Sequence, residues 1–215
     1  MFVGHYSAAF VGAALPKAPG LGTLFIAAQL VDIGFFSFLP LGIEHMRLVP
    51  GISVMNPMDL YDMPWTHSLI GAIVWGLVFA ILLRATIGNW TAGLIGGTVV
   101  VSHWLIDLLV HVPDLTIAGH PPRLGLGLWN YPLLEMPLEI GLLLASALLY
   151  ARTTRTVGTS WALPGLLVVL LTLQAFNWFG PAPVTVDAGV WAMGILAYAI
   201  AAALASWVAR NRIAR

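Results

Sequence analysis

The sequence predicts an all-α transmembrane bundle of about seven helices in a single domain, residues 1–215, and three observations point there. Hydrophobic residues make up 60% of the chain and charged residues only 8%, against about 25% charged in a soluble domain. Mean hydropathy is +0.92. Apolar runs long enough for a bilayer recur along the chain, separated by connections carrying Pro, Gly and charge. Nothing outside the loops reads as a strand, and a segment crossing lipid must satisfy its backbone internally, which leaves helices.

The apolar runs fall at residues 1–15, 21–43, 67–87, 91–112, 131–150, 161–179 and 190–208. The first is short: about 15 residues rise ~22 Å, less than the ~30 Å hydrocarbon core. It is read as a short first helix, with six helices plus a re-entrant segment as the alternative. Two polar connections stand out, residues 44–66 and 113–130. The N-terminus has no basic stretch followed by a small-residue cleavage site, so it does not read as a signal peptide.

Lys and Arg set the orientation. With the tail carrying Arg210, Arg212 and Arg215 in the cytoplasm, alternate connections put Arg152, Arg155, Arg84 and Lys17 on the same side, leaving Arg47 and Arg123 outside. Trp90, Trp161 and Trp207 then mark the inner interface, and Trp65, Trp129 and Trp178 the outer one. A multi-pass protein of a bacterial inner membrane, with a cytoplasmic C-terminus, is the expected location.

Nine basic residues balance nine acidic ones, so no basic patch suggests nucleic acid. Cys is absent, which excludes disulfides, thiolate metal sites and a Cys nucleophile. Any metal must be held by His, Asp or Glu.

The run ending in Ser102-His103-Trp104-Leu105-Ile106-Asp107-Leu108-Leu109-Val110-His111 supplies such residues. His103, Asp107 and His111 recur every fourth residue and so share one helical face. An uncompensated charge in hydrocarbon costs on the order of several kcal/mol. A bound cation removes that cost, and imidazole and carboxylate are ordinary zinc ligands. The orientation also brings other groups to the same level. Asp32 and Asp107 each lie about fifteen residues, or ~22 Å, beyond an inner boundary. His5 and His67 enter from the outer face. Metal ligands are therefore expected among His5, Asp32, His67, His103 and Asp107, in one layer of the outer half of the bilayer. Glu135 and Glu139 begin the next helix from that face; Glu139 or His111 is the expected proton acceptor, and either can instead be a ligand or orient one. Asp114 and Asp62 read as caps, Thr66 as a helix N-cap, Glu44-His45 as a loop pair at least as readily solvated as catalytic, and His120 as exposed. Ser68 and Ser102 read as packing or supporting residues.

Gly4-His5, then Asp32, then Thr66-His67-Ser68, then His103-x-x-x-Asp107 occur in that order. This order resembles a bacterial family of inner-membrane, metal-dependent hydrolases, over roughly the first 115 residues. The resemblance implies a metal-dependent hydrolase without naming a substrate; the imidazole and carboxylate donors themselves make zinc the expected divalent ion. The family's usual Pro-Asp-x-Asp-His cluster is reduced here to Val31-Asp32-Ile33-Gly34, and Met63-Pro64-Trp65 stands where the family often has an Arg. A mononuclear centre is easier to build from these residues than a dinuclear one.

The expected activity is hydrolysis of a lipid or amphiphilic ester, phosphoester or amide near the outer leaflet. The two polar connections would form a lid, and Arg47 and Arg123 would serve as anion contacts. A proton- or ion-coupled transporter using the same buried groups is the alternative from another class. It requires polar residues toward the inner face, where the sequence offers Gly and Thr. A haem subunit with paired His is a further reading, and a colourless protein disposes of it.

Overall fold

The computed structural model describes all 215 residues and is an all-α bundle. Its helices are α1 (Tyr6–Ala13), α2 (Leu21–Ala28), α3 (Leu30–Phe38), α4 (Leu69–Ile87), α5 (Trp90–Val110), α6 (Pro132–Thr153), α7 (Ala162–Phe179) and α8 (Ala188–Arg210). Five of them, α4 to α8, are long and apolar enough to cross a membrane; α2 and α3, bent by 50° at their junction, reach that length and apolarity only as a pair, as a broken span or a re-entrant loop. Each expected apolar run is therefore a helix or a broken pair. The break falls at Gln29, a fully buried side chain whose amide donates to the Phe2 carbonyl.

A helix of eight residues rises only ~12 Å, and α1 persists because protein rather than lipid surrounds it. It is wedged among α2, α5 and α6. Tyr6 stacks on Phe25 with ring centroids 4.2 Å apart, and Phe10 meets Phe25 edge-on at 5.3 Å. With Leu24 and Leu143 these rings form the centre of the apolar core. The core holds α1 in place, and α1 carries His5 at its N-terminal edge.

Helices α4 and α5 form the closest pair, and their contact is a seam of small residues. A Cβ at Gly97 would stand 2.7 Å from the Gly76 carbonyl oxygen, and one at Gly93 would stand 2.6 Å from that of Ala80. Only glycine lets the two backbones approach this far. The opposite, outward flank of α4, with Ile70, Val74, Leu77 and Ile81, is exposed and apolar as a lipid-facing surface must be.

The connections hold short antiparallel ribbons that the apolar pattern does not announce. β1 (His45–Leu48) pairs with β2 (Met58–Asp62), and β3 (Leu115–Thr116) pairs with β4 (Arg123–Leu124). β5 (Thr154–Thr156) pairs with β6 (Arg212–Ala214), tying the end of α6 to the C-terminal tail. The β1–β2 ribbon carries its own surface pairs: His45 with Asp62 at 2.7 Å and Arg47 with Asp59 at 2.6 Å.

Candidate metal centre

All five expected ligands meet in one buried cluster. α1 brings His5, α3 brings Asp32, the turn before α4 brings His67, and α5 brings His103 and Asp107. Two overlapping groups form, His5–His103–Asp107 and Asp32–His67–His103, in each of which one donor atom per residue lies within 4.8 Å of the others. His103 belongs to both. These groups can hold a metal ion, since neutral imidazole and carboxylate are suitable donors and the separations match a shared ion.

Asp107 is the hub. Its Oδ1 lies 3.1 Å from His5 Nε2 and 3.6 Å from His111 Nε2, and its Oδ2 lies 3.0 Å from His103 Nε2 and 3.8 Å from His67 Nε2. Asp32 Oδ1 adds contacts of 3.3 Å to His67 Nε2 and 3.4 Å to His103 Nε2. The His5 and His103 rings stack in parallel, 3.7 Å apart. The Met1 amino group donates to Asp107 Oδ1 at 3.0 Å.

The far side of each ring decides what the near side can do. His103 Nδ1 lies 2.7 Å from the Ala28 carbonyl, the last residue of α2 before the break. A carbonyl only accepts, so Nδ1 carries the hydrogen. His111 Nδ1 lies 2.8 Å from Asp114 Oδ1, with the same result. His67 Nδ1 lies 2.9 Å from Thr66 Oγ1. That hydroxyl gives its one hydrogen to Glu44 Oε2 at 2.6 Å, so it can only accept from His67. Three imidazoles are thereby held with Nδ1 hydrogens committed and Nε2 atoms turned toward two carboxylates. That arrangement calls for positive charge between nitrogen and carboxylate, supplied by a proton on Nε2 or by a shared cation. His5 sharpens the point, because neither of its buried ring nitrogens has a hydrogen-bond partner. Holding the distal nitrogen is how metal-binding histidines are oriented in proteins generally.

Glu44 is the largest departure from the expected arrangement. Its place in a polar loop favours solvation at least as much as a role in the site, yet it is 0% exposed. Its Oε1 accepts from the Trp65 amide at 2.8 Å and the Thr66 amide at 2.9 Å, while Oε2 takes the Thr66 hydroxyl. Thr66 accordingly is not the helix cap; Ser68 caps α4 by accepting from the Gly71 amide. Asp114, expected as a cap, supports His111 instead. Tyr198 of α8 donates to Asp32 Oδ2 at 2.8 Å, a contribution from a helix that the motifs do not reach.

Glu139 and Glu135 lie beside the cluster, both buried, but in different roles. Glu139 Oε1 accepts from the Phe2 and Gly4 amides at 2.7 and 2.9 Å, and its Oε2 accepts from Gln174 at 3.0 Å. These bonds fix the N-terminal turn (Val3–His5) that carries His5. Glu135 Oε2 is buried without a partner. Arg47 and Arg123 stay outside: Arg47 is paired with Asp59 and 67% exposed, and Arg123 donates to the Tyr61 carbonyl. His120 is exposed, as expected.

A chamber of about 340 Å³ opens off the cluster, within the range of small-molecule sites. Asp32, His67, Asp107 and His111 face it; Phe35, Phe36, Phe176 and Met193 give it apolar walls. Met55, Asn56 and Pro57 of the β1–β2 connection, Met58 of β2 and Trp129 also line it, so parts of both polar loops contribute to its wall. Comparison with family models, with curated proteins and with solved structures gives no match.

Proposed function

We propose that the chain is an intramembrane metal-dependent hydrolase acting on a lipid or amphiphilic substrate near the outer leaflet of a bacterial inner membrane, with its C-terminus in the cytoplasm. The observation that carries this reading is the set of three imidazoles whose Nδ1 hydrogens are committed elsewhere and whose Nε2 atoms converge on Asp32 and Asp107. Zn²⁺ is the proposed ion, drawn to nitrogen and carboxylate donors in the absence of thiolates. His5, Asp32, His67, His103 and Asp107 would hold it. When bound, such an ion lowers the pKa of water toward ~7 and polarises the oxygen of a scissile carbonyl or phosphoryl group.

The chain's own residues supply the rest. His111 faces the chamber with Nε2 free of any other acceptor, and Asp114 fixes its tautomer and stabilises the imidazolium formed when Nε2 takes a proton from the attacking water. Of the two expected proton acceptors it is the better placed, because Glu139 is occupied by two amides and Gln174. The apolar walls exclude bulk water and receive an alkyl chain. The order of the short motifs, with its resemblance to inner-membrane hydrolases, supports the same reading.

A transporter would need a polar route onward to the inner face. The α4–α5 interface on that side is filled by Gly76, Ala80, Gly93 and Gly97 at backbone contact distance, which favours a site open to one side only. The test is hydrolysis of long-chain esters and amides by purified protein in lipid nanodiscs. Chelation should abolish turnover and Zn²⁺ should restore it. Turnover unaffected by chelation, or proton flux without turnover, would overturn the proposal.

A further inference from the structure

The chamber's charge limits what can enter it. Four carboxyl groups line it, from Asp32, Asp107, Glu135 and Glu139, and no Lys or Arg does. Its one amine, that of Met1, is engaged by Asp107 at 3.0 Å. The two arginines nearest in sequence to the covering loops are tied to Asp59 and to the Tyr61 carbonyl, away from the chamber. Glu135 Oε2 is buried in the wall without a hydrogen-bond partner. The remaining surface is aromatic and aliphatic, from Phe35, Phe36, Phe176 and Met193.

In the metal-free chamber an anionic head group would meet these carboxyl groups with no Lys or Arg to pair with, in an apolar surround where charges are poorly screened. A hydroxyl, amide or ammonium head would instead find acceptors. We infer that the metal-free chamber favours amphiphiles whose polar end carries no negative charge, so a neutral ester or amide head enters it more readily than a phosphoester. This narrows the hydrolase reading above and rests on it for the reaction, though the selectivity belongs to the chain's own carboxyl groups.

Binding of three probes with one alkyl chain, dodecanol, dodecyltrimethylammonium and dodecyl phosphate, can be compared by native mass spectrometry of the full chain in nanodiscs. Both chelated and zinc-loaded protein should be used. In the chelated protein dodecyl phosphate should bind at least about tenfold more weakly than either other probe. Phosphate binding equal to or tighter than dodecanol there would overturn the inference. Asn177 lies at the exposed edge of the chamber, where a substitution leaves the core intact. Asn177→Lys should shrink the handicap of the phosphate probe by about threefold or more; an unchanged handicap would contradict its electrostatic origin. Zinc content measured alongside separates the two ideas. Failure to bind zinc with the probe order intact removes the metal reading and leaves the selectivity, while a reversed order with zinc bound does the converse.

Discussion

Helices α4 and α5 are held together in two unlike ways at their two ends. Toward one end, Gly76, Ala80, Gly93 and Gly97 let the backbones touch, with no polar side chain involved. At the other, His67, His103 and Asp107 face one another across the same pair, and the sum of their contacts is favourable only with positive charge among them. One end is specified by the absence of side chains, the other by their chemistry. Damage at the first should therefore appear as lost stability, and damage at the second as lost metal.

The largest effect is expected at the seam. Gly93→Leu places a branched side chain where a Cβ alone would come within 2.6 Å of the Ala80 carbonyl oxygen. Destabilisation of ~3 kcal/mol is expected in denaturant unfolding, with metal content per folded molecule unchanged. Loss of metal without loss of stability would erase the distinction between the two ends.

Next in size is the support behind His67. Thr66→Val removes the acceptor that fixes His67 Nδ1, and zinc affinity measured by chelator competition should fall about 10- to 100-fold. Thr66→Ser should recover most of it. A Val variant with native affinity would show that Glu44 and Thr66 serve packing alone. A smaller loss is expected for Tyr198→Phe, which takes one hydrogen bond of 2.8 Å from Asp32. About tenfold or less in zinc affinity should follow, in line with a net ~1 kcal/mol for such a bond. No change would place Asp32 outside the centre.

How much of this was legible in the sequence depends on the range over which each residue acts. The seven apolar runs, the short first helix and the convergence of His5, Asp32, His67, His103 and Asp107 follow from periodicity, segment length and the Lys/Arg distribution, all of which are written locally. Glu44 is not local in this sense. A carboxylate in a polar loop looks solvated until the β1–β2 ribbon brings it against the Trp65 and Thr66 amides. Tyr198 reaches Asp32 across 166 positions of sequence, from a helix whose pattern shows only hydropathy. The bend at Gln29 has no Pro or Gly to announce it; its signal was a lone amide side chain in an apolar run, which must find a buried partner and finds the Phe2 carbonyl.

The smallest effect lies far from the cluster, at the start of α8, and serves as a control. Hydrogen bonds from the Thr185 hydroxyl and the Gly189 amide hold the Asp187 carboxyl below its ordinary pKa. The cap is thus at full strength above the unfolded value, near ~3.9, and is lost as pH falls through the lower folded value. The Gly189 amide resonance should shift over that acidic range and not between about pH 5 and 8. Asp187→Asn should abolish the acid shift and leave metal binding untouched.

The most direct test is the metal content of the purified protein and of His103→Ala, since His103 is the residue common to both candidate groups. Wild type should carry roughly one zinc per chain or more, and His103→Ala should lose most of it while remaining folded by circular dichroism. Wild type free of tightly bound transition metal, or His103→Ala with undiminished content, would contradict the account.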